Sequence, residues 1–221
     1  MGVGHAAVGL CATRILPRTN AGVLIFATFL ADFLPGVFAL FGLERAHVPS
    51  DFPSRHYLTF TFPYSHGLTS LIVWGIVLGA LFCWKDAANR RRIFLVIAGL
   101  VISHFVLDGL VHVRELPLVG ESSPKIGLGL WNYMPAELIL ETMMAIVGIV
   151  VYWKLGGFNS QVGRWGMAIF LLLVTALTWT QMWIVKPPNP SQLIPSWIFR
   201  PLLFSIIPYA LDRRRIAALR G

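Results

Sequence analysis

Charge is what this sequence has least of. Only 13% of its 221 residues are Asp, Glu, Lys or Arg, about half the share that covers an ordinary soluble domain. With 56% hydrophobic side chains and a mean hydropathy of +0.70, a soluble globule of this size would lack the polar surface it needs, and the composition points to a membrane. The same figures exclude intrinsic disorder, a collagen repeat and a coiled coil. Cysteine is equally sparse. Cys11 and Cys83 lie in or beside apolar runs, which excludes a disulfide scaffold and reads as buried thiols. Acids are fewer than bases, giving a net charge of +8. The cations sit between hydrophobic segments and not on one face of a domain, so nucleic-acid binding is not expected and the charge is read as a topology signal.

Six apolar runs are long enough for about 30 Å of hydrocarbon at 1.5 Å per residue. They cover approximately Ala21 to Leu43, Tyr64 to Trp84, Arg92 to Val113, Trp131 to Trp153, Trp165 to Val185 and Ile194 to Leu211. Pro201 and Pro208 interrupt the last, with Arg200 inside it, so a kinked or partly re-entrant segment is expected there. The first thirteen residues are apolar but too short to span, and predict a short helix at the interface or folded back into the bundle. MGVGHAAVGLCATR lacks the charged n-region and cleavage site of a secretory signal and is expected to be retained. Connections are short, without repeats or linkers, so residues 1–221 are read as one domain: 1–19 the short helix, 20–212 the bundle, 213–221 a basic tail. The fold class is an all-α polytopic membrane bundle of about six transmembrane helices.

Arg14, Arg18, Lys85, Arg90 to Arg92, Lys154, Arg164, Arg213 to Arg215 and Arg220 fall on one side of this topology. Arg45, Arg55, Arg114, Lys125, Lys186 and Arg200 fall on the other. The excess of cations on the first side predicts that both termini are cytoplasmic. Trp84, Trp131, Trp153 and Trp165 stand at segment ends, where indole rings favour the headgroup level.

Ionisable residues inside such spans cost about 2.5 kcal/mol or more each at the bilayer centre. Asp32 stands mid-span in the first run, His66 opens the second, and His104, Asp108 and His112 occupy the second half of the third. Glu137 and Glu141 follow in the first half of the fourth. The spacing i, i+4, i+8 puts His104, Asp108 and His112 on one helical stripe, and alternating span direction brings them, His66, Glu137 and Glu141 to the outer half of the membrane, with Asp32 close to the midplane and within reach. Imidazoles with carboxylates are the ligand set of Zn²⁺, Fe or Mn, and a divalent cation would neutralise the acids. A metal is therefore the best single account. Each residue also has a plainer reading: His66 and His112 as histidines at span ends, His104, Glu137 and Glu141 as hydrogen-bonding groups between helices. His47 and His56 fall in an outer loop and read as solvated.

His5 near the N-terminus, Asp32 followed by Pro35 and Gly36, Ser65-His66 at a span opening and Ser103-His104-x₃-Asp108 together resemble the membrane-bound metal-dependent hydrolases. That family includes the LexA-binding inner-membrane hydrolases of bacteria. The likeness covers roughly the first 115 residues, and KIGLGLWN (Lys125 to Asn132) resembles a stretch in bacterial relatives. It implies a metal held by His5, Asp32, His66, His104 and Asp108. One departure is visible: the family has a His-Arg pair just before a Thr-His-Ser, whereas this chain has Phe62-Pro63-Tyr64-Ser65-His66, with Arg55-His56 farther upstream and in reversed order.

The first functional expectation is a metal-dependent hydrolase acting on a lipid or lipid-linked ester or phosphoester. The metal, Zn first, would acidify a bound water to a pKa of about 7. His112 would be a further ligand or its hydrogen-bonding support, Glu141 or Glu137 the general base, and Arg55 and Arg114 a headgroup clamp at the rim. A proton- or metal-coupled transporter is the rival. It requires polar residues through the cytoplasmic half, where WGIVLGALFCW, FLVIAGLV and AIVGIVVYW are almost purely apolar. A structural or partner-binding protein is the third reading.

Overall fold

A computed structural model describes residues 2–84, 88–155, 161–184 and 186–219; Lys85, Arg220 and the expected span end at Val185 lie outside them. The chain is all-helical apart from two short hairpins. Its elements are α1 Gly2–Ala12, α2 Ala21–Leu40, β1 Arg45–His47, α3 Phe52–Arg55, β2 Thr59–Thr61, α4 Leu68–Cys83, α5 Arg90–Val111, β3 Leu116–Pro117, β4 Lys125–Ile126, α6 Met134–Trp153, α7 Gln161–Trp179 and α8 Pro190–Ala218. A 3-10 turn, Leu130–Tyr133, leads into α6. β1 pairs antiparallel with β2 (Arg45 opposite Thr61) and β3 with β4 (Leu116 opposite Ile126).

Among the described residues, five helices are long and apolar enough to cross a membrane: Ala21–Leu40, Arg90–Val111, Leu130–Trp153, Gln161–Trp183 and Gln192–Ala218. The expected second span is shorter than its apolar run. Tyr64 to Gly67 form a turn, and the helix covers only Leu68–Cys83. The hydrophobic outer face is continuous over the helices. On α4, Ile72, Val73, Ile76 and Val77 are exposed while Leu71, Gly75, Leu78 and Gly79 are buried; on α7, Trp165, Ile169, Leu172 and Leu173 are exposed. Apolar side chains on both faces of a helix suit lipid outside and protein inside.

The last helix, expected to be kinked or partly re-entrant, runs as one helix through Pro195, Pro201 and Pro208; within a helical bundle, neighbouring groups can take up the carbonyls that proline leaves free. It also runs through the supposed basic tail. Arg215 is 2% exposed, its Nε 2.6 Å and its Nη2 2.8 Å from the oxygens of buried Asp212. Asp212 also accepts from the Tyr152 hydroxyl (2.7 Å) and the Ala21 N–H (2.8 Å). One buried carboxylate thus ties α8 to α6 and to the start of α2, whose first turn is capped by the Asn20 side chain accepting from Gly22 N–H at 2.8 Å.

α1 is the centre of the bundle. Val3, Ala6, Ala7 and Leu10 are nearly inaccessible, because the helix is apolar all round and its small residues let neighbours approach closely. A Cβ on Gly9 would fall 2.7 Å from Ile25 Cα, and one on Gly148 3.0 Å from Ala7 Cα. Core clusters form on either side of it. Leu24, Leu71, Ile97 and Val101 fill one; Ile25, Ile149, Tyr152 and Met167 fill the other. Of the two sequence options for this segment, interface or bundle, the structure has the bundle. The amino end of α1 meets the middle of α6, where the backbone N–H groups of Val3 and Gly4 face the Glu141 carboxylate.

Candidate metal centre

Six side chains from four segments form one cluster, centred on the Asp108 carboxylate. Asp108, one turn from the end of α5, is 1% exposed. Its Oδ1 lies 3.0 Å from His5 Nε2 of α1. Its Oδ2 lies 3.1 Å from His104 Nε2, 3.2 Å from His112 Nε2 and 3.6 Å from His66 Nε2. Asp32 of α2 completes the group, with Oδ1 3.8 Å from both His66 Nε2 and His104 Nε2. The i, i+4 stripe on α5 is therefore real, and His5, Asp32 and His66 converge on it.

The rings are held so that one nitrogen of each faces inward. His104 Nδ1 is 2.7 Å from the Thr28 carbonyl, and His66 Nδ1 is 2.8 Å from Ser65 Oγ. His112 Nδ1 is 2.6 Å from Glu115 Oε1. These contacts leave Nε2 as the atom presented to the centre. Behind them stands another layer. Ser65 Oγ donates to buried Glu44 (2.7 Å), which also accepts the Tyr64 and Ser65 N–H groups (2.8 Å each). Burial pushes the Glu44 carboxyl above its ordinary range, with these hydrogen bonds opposing the shift. Glu115 accepts the Phe60 N–H through its second oxygen at 2.6 Å, coupling β2 to the His112 ring.

The donors suit a divalent ion. Ligands about 2.0–2.1 Å from one metal stand roughly 3.0–3.4 Å from each other, close to the separations found here. Two triads have ligand atoms within 4.8 Å of one another: His5, His104 and Asp108, and Asp32, His66 and His104. Orienting acceptors on the far ring nitrogens are what metal-ligating histidines use. His5 alone has an Nδ1 without a partner among the described residues.

One side of the cluster is open. A cavity of about 110 Å³ is lined by Asp32, His66, Asp108 and His112 on its polar wall and by Phe60, Phe62, Trp131 and Trp197 among its aromatic ones. His5 and His104 are fully buried, whereas the Asp32 side chain is 35% exposed. The segment after β4 closes over the end of α5. Leu128 N–H donates to Gly109 O and Gly129 N–H to His112 O, both at 2.8 Å. Gly129 has φ of 73°, and a Cβ on Gly127 would overlap the Val113 carbonyl; only glycine fits both. KIGLGLWN thereby sets Trp131 against His112, ring centroids 4.0 Å apart. Trp131 is a cavity wall and not only a headgroup anchor.

The remaining expected residues fall elsewhere. Glu137 and Glu141 are buried, but Glu141 faces the start of α1, and neither belongs to the clustered ligand atoms. Glu137 lies against the Trp131 side chain of the cavity wall and Glu141 against the start of α1, and neither is among the residues lining the cavity. Arg55 stands at the rim, donating to the Tyr57 hydroxyl and to Asn132 Oδ1 at 2.7 Å each and pairing with Asp51. Arg114 is exposed and does not line the cavity. His47 hydrogen-bonds Thr61 Oγ1 at 3.0 Å and His56 the Ile184 carbonyl at 2.9 Å, both away from the centre. Glu115, Glu44 and Ser65 were missed from sequence; the i+3 spacing of Glu115 from His112 was the one available signal. Comparison with protein-family models, with curated proteins and with solved structures finds no match.

Proposed function

We propose that the protein is a membrane-embedded, metal-dependent hydrolase of a lipid or lipid-linked ester or phosphoester, related to the membrane-bound metal-dependent hydrolases it resembles in sequence. The observation that carries this reading is a cluster of inward-facing imidazole nitrogens and two carboxylates, closed behind by His5 and His104 and open in front to an aromatic cavity. Zn²⁺, or alternatively Fe or Mn, supplies Lewis acidity and acidified water when bound.

This chain's own residues supply position and proton transfer. His66, His104, Asp108, Asp32 and His5 would supply the ligands of the metal centre. His112 lines the cavity with Nδ1 fixed on Glu115, so the neutral ring keeps a lone pair on Nε2 for a proton at the reacting centre. That role passes to His112 from Glu137 and Glu141, which do not line the cavity. The tryptophan and phenylalanine walls suit an apolar substrate entering from the outer half of an inner membrane, with Arg55 near enough to the mouth to meet a headgroup oxygen. A transport path is disfavoured: below the centre the bundle is packed with Leu24, Ile25, Ile97 and Val101, all fully buried.

Elemental analysis of protein purified in mild detergent, beside a His104→Ala control and with hydrolysis assayed on a panel of lipid esters and phosphoesters, tests the proposal. Wild type should carry a transition metal and the control should not. Metal-free wild type, or full metal retention in His104→Ala, overturns it.

A further inference from the structure

Two of the imidazoles are stacked, and stacking constrains what they can bind. The His5 and His104 rings lie 3.8 Å apart between centroids with planes only 7° from parallel. An imidazole lone pair lies in the ring plane, so two stacked rings send their Nε2 lone pairs into separate, nearly parallel planes, which do not meet on one ion about 2.0–2.1 Å away. Asp108 repeats the division. One oxygen, Oδ1, is 3.0 Å from His5 Nε2, and the other, Oδ2, is 3.1 Å from His104 Nε2. His104 cannot serve two ions, because its Nδ1 is taken by the Thr28 carbonyl at 2.7 Å. The two candidate ligand triads nevertheless both contain it.

From this geometry we propose that the centre is dinuclear, with Asp108 bridging two divalent cations. One cation sits on His5 Nε2 and Asp108 Oδ1; the other sits on His66, His104, Asp32 and Asp108 Oδ2. The 3.8 Å ring separation matches the roughly 3.5–4 Å between ions in two-metal hydrolytic sites. The inference rests on the metal-centre reading above and adds the number of ions and their division between α1 and the rest of the bundle. The cation on His5 has the fewer protein ligands and is the weaker of the two. It is also the one that depends on α1 being seated.

The test is a Mn²⁺ titration of chelator-stripped full-length protein in detergent, followed by metal analysis and electron paramagnetic resonance. Wild type should take two equivalents, the second more weakly, and give the spectrum of an exchange-coupled pair at saturation. His5→Ala should take one equivalent and give an uncoupled six-line spectrum, and His47→Ala, in the outer hairpin, should keep two. Should His5→Ala fail to fold, the wild-type spectrum alone decides between coupled and isolated ions. One uncoupled equivalent in wild type, or loss of an equivalent in His47→Ala, overturns the dinuclear assignment and leaves a single-ion centre standing. No binding at all overturns the metal centre itself.

Discussion

Glu115 shows how a single residue can matter without touching the reacting atoms. It is 6% exposed and uses both oxygens, one on His112 Nδ1 and one on the Phe60 N–H. In Glu115→Ala the partner that fixes the His112 tautomer is lost while the ligands of the centre are untouched. Metal content should stay at the wild-type level and hydrolysis should fall about 10²-fold or more; unchanged turnover on the same lipid ester would remove His112 from the chemistry. Asp212 acts at the other end of the molecule. It is fully buried with Arg215, Tyr152 and Ala21 as partners, and Asp212→Ala leaves a buried guanidinium without its counter-ion. A loss of about 3–5 kcal/mol is expected, read as a lowered thermal midpoint in detergent. At this scale the sequence was informative about ligand types. Histidine and aspartate in apolar runs are costly and so conspicuous. Glu115, Glu44 and Asp212 were not conspicuous, because they lie beside loops or basic residues where an acid is ordinary and only burial distinguishes them.

Among the elements, α1 decides most. Eleven residues are too few to span a bilayer, and the sequence left it at the interface or in the bundle. Packing resolves this, since a helix without a polar face has no stable place at a surface. Its seat depends on contacts with no room for a side chain. Gly9→Leu should clash with the Ile25 backbone, cost about 1–3 kcal/mol, and displace His5 from Asp108. The measurement is metal content together with thermal stability: a fall in both is expected, and wild-type values for both would show that α1 is not wedged there. α8 gives the opposite lesson. Three prolines suggest interruption, yet the helix continues, because the hydrogen bonds that proline removes can be replaced by neighbouring groups in a packed bundle. α6 marks the limit of depth arguments. Glu137 and Glu141 are both buried, yet Glu137 meets the Trp131 side chain and Glu141 the start of α1, not the clustered ligand atoms.

For the whole molecule, the antiparallel order of α2, α4, α5, α6, α7 and α8 puts the His66, Asp108 and Trp131 end of the bundle on one side and the Arg90, Lys154 and Arg215 end on the other. In a cysteine-free background, a thiol at exposed Ser122 should react with an impermeant maleimide from outside intact cells. One at exposed Ala88 should react only after permeabilisation. The reverse pattern would invert the orientation and place the cavity on the cytoplasmic side. The all-helical class, the approximate helix positions and the ligand types are legible in the sequence alone, because hydropathy and the cost of an intramembrane charge are local properties of each segment. What the tertiary structure alone decided is which of those groups meet. The seating of α1, the meeting of Glu141 with its first turn, the closure of KIGLGLWN over His112 and the stacking of His5 on His104 all depend on helix packing and close backbone approach. Those are fixed by contacts between residues as far apart in the chain as His5 and Asp108, which no window of the sequence contains.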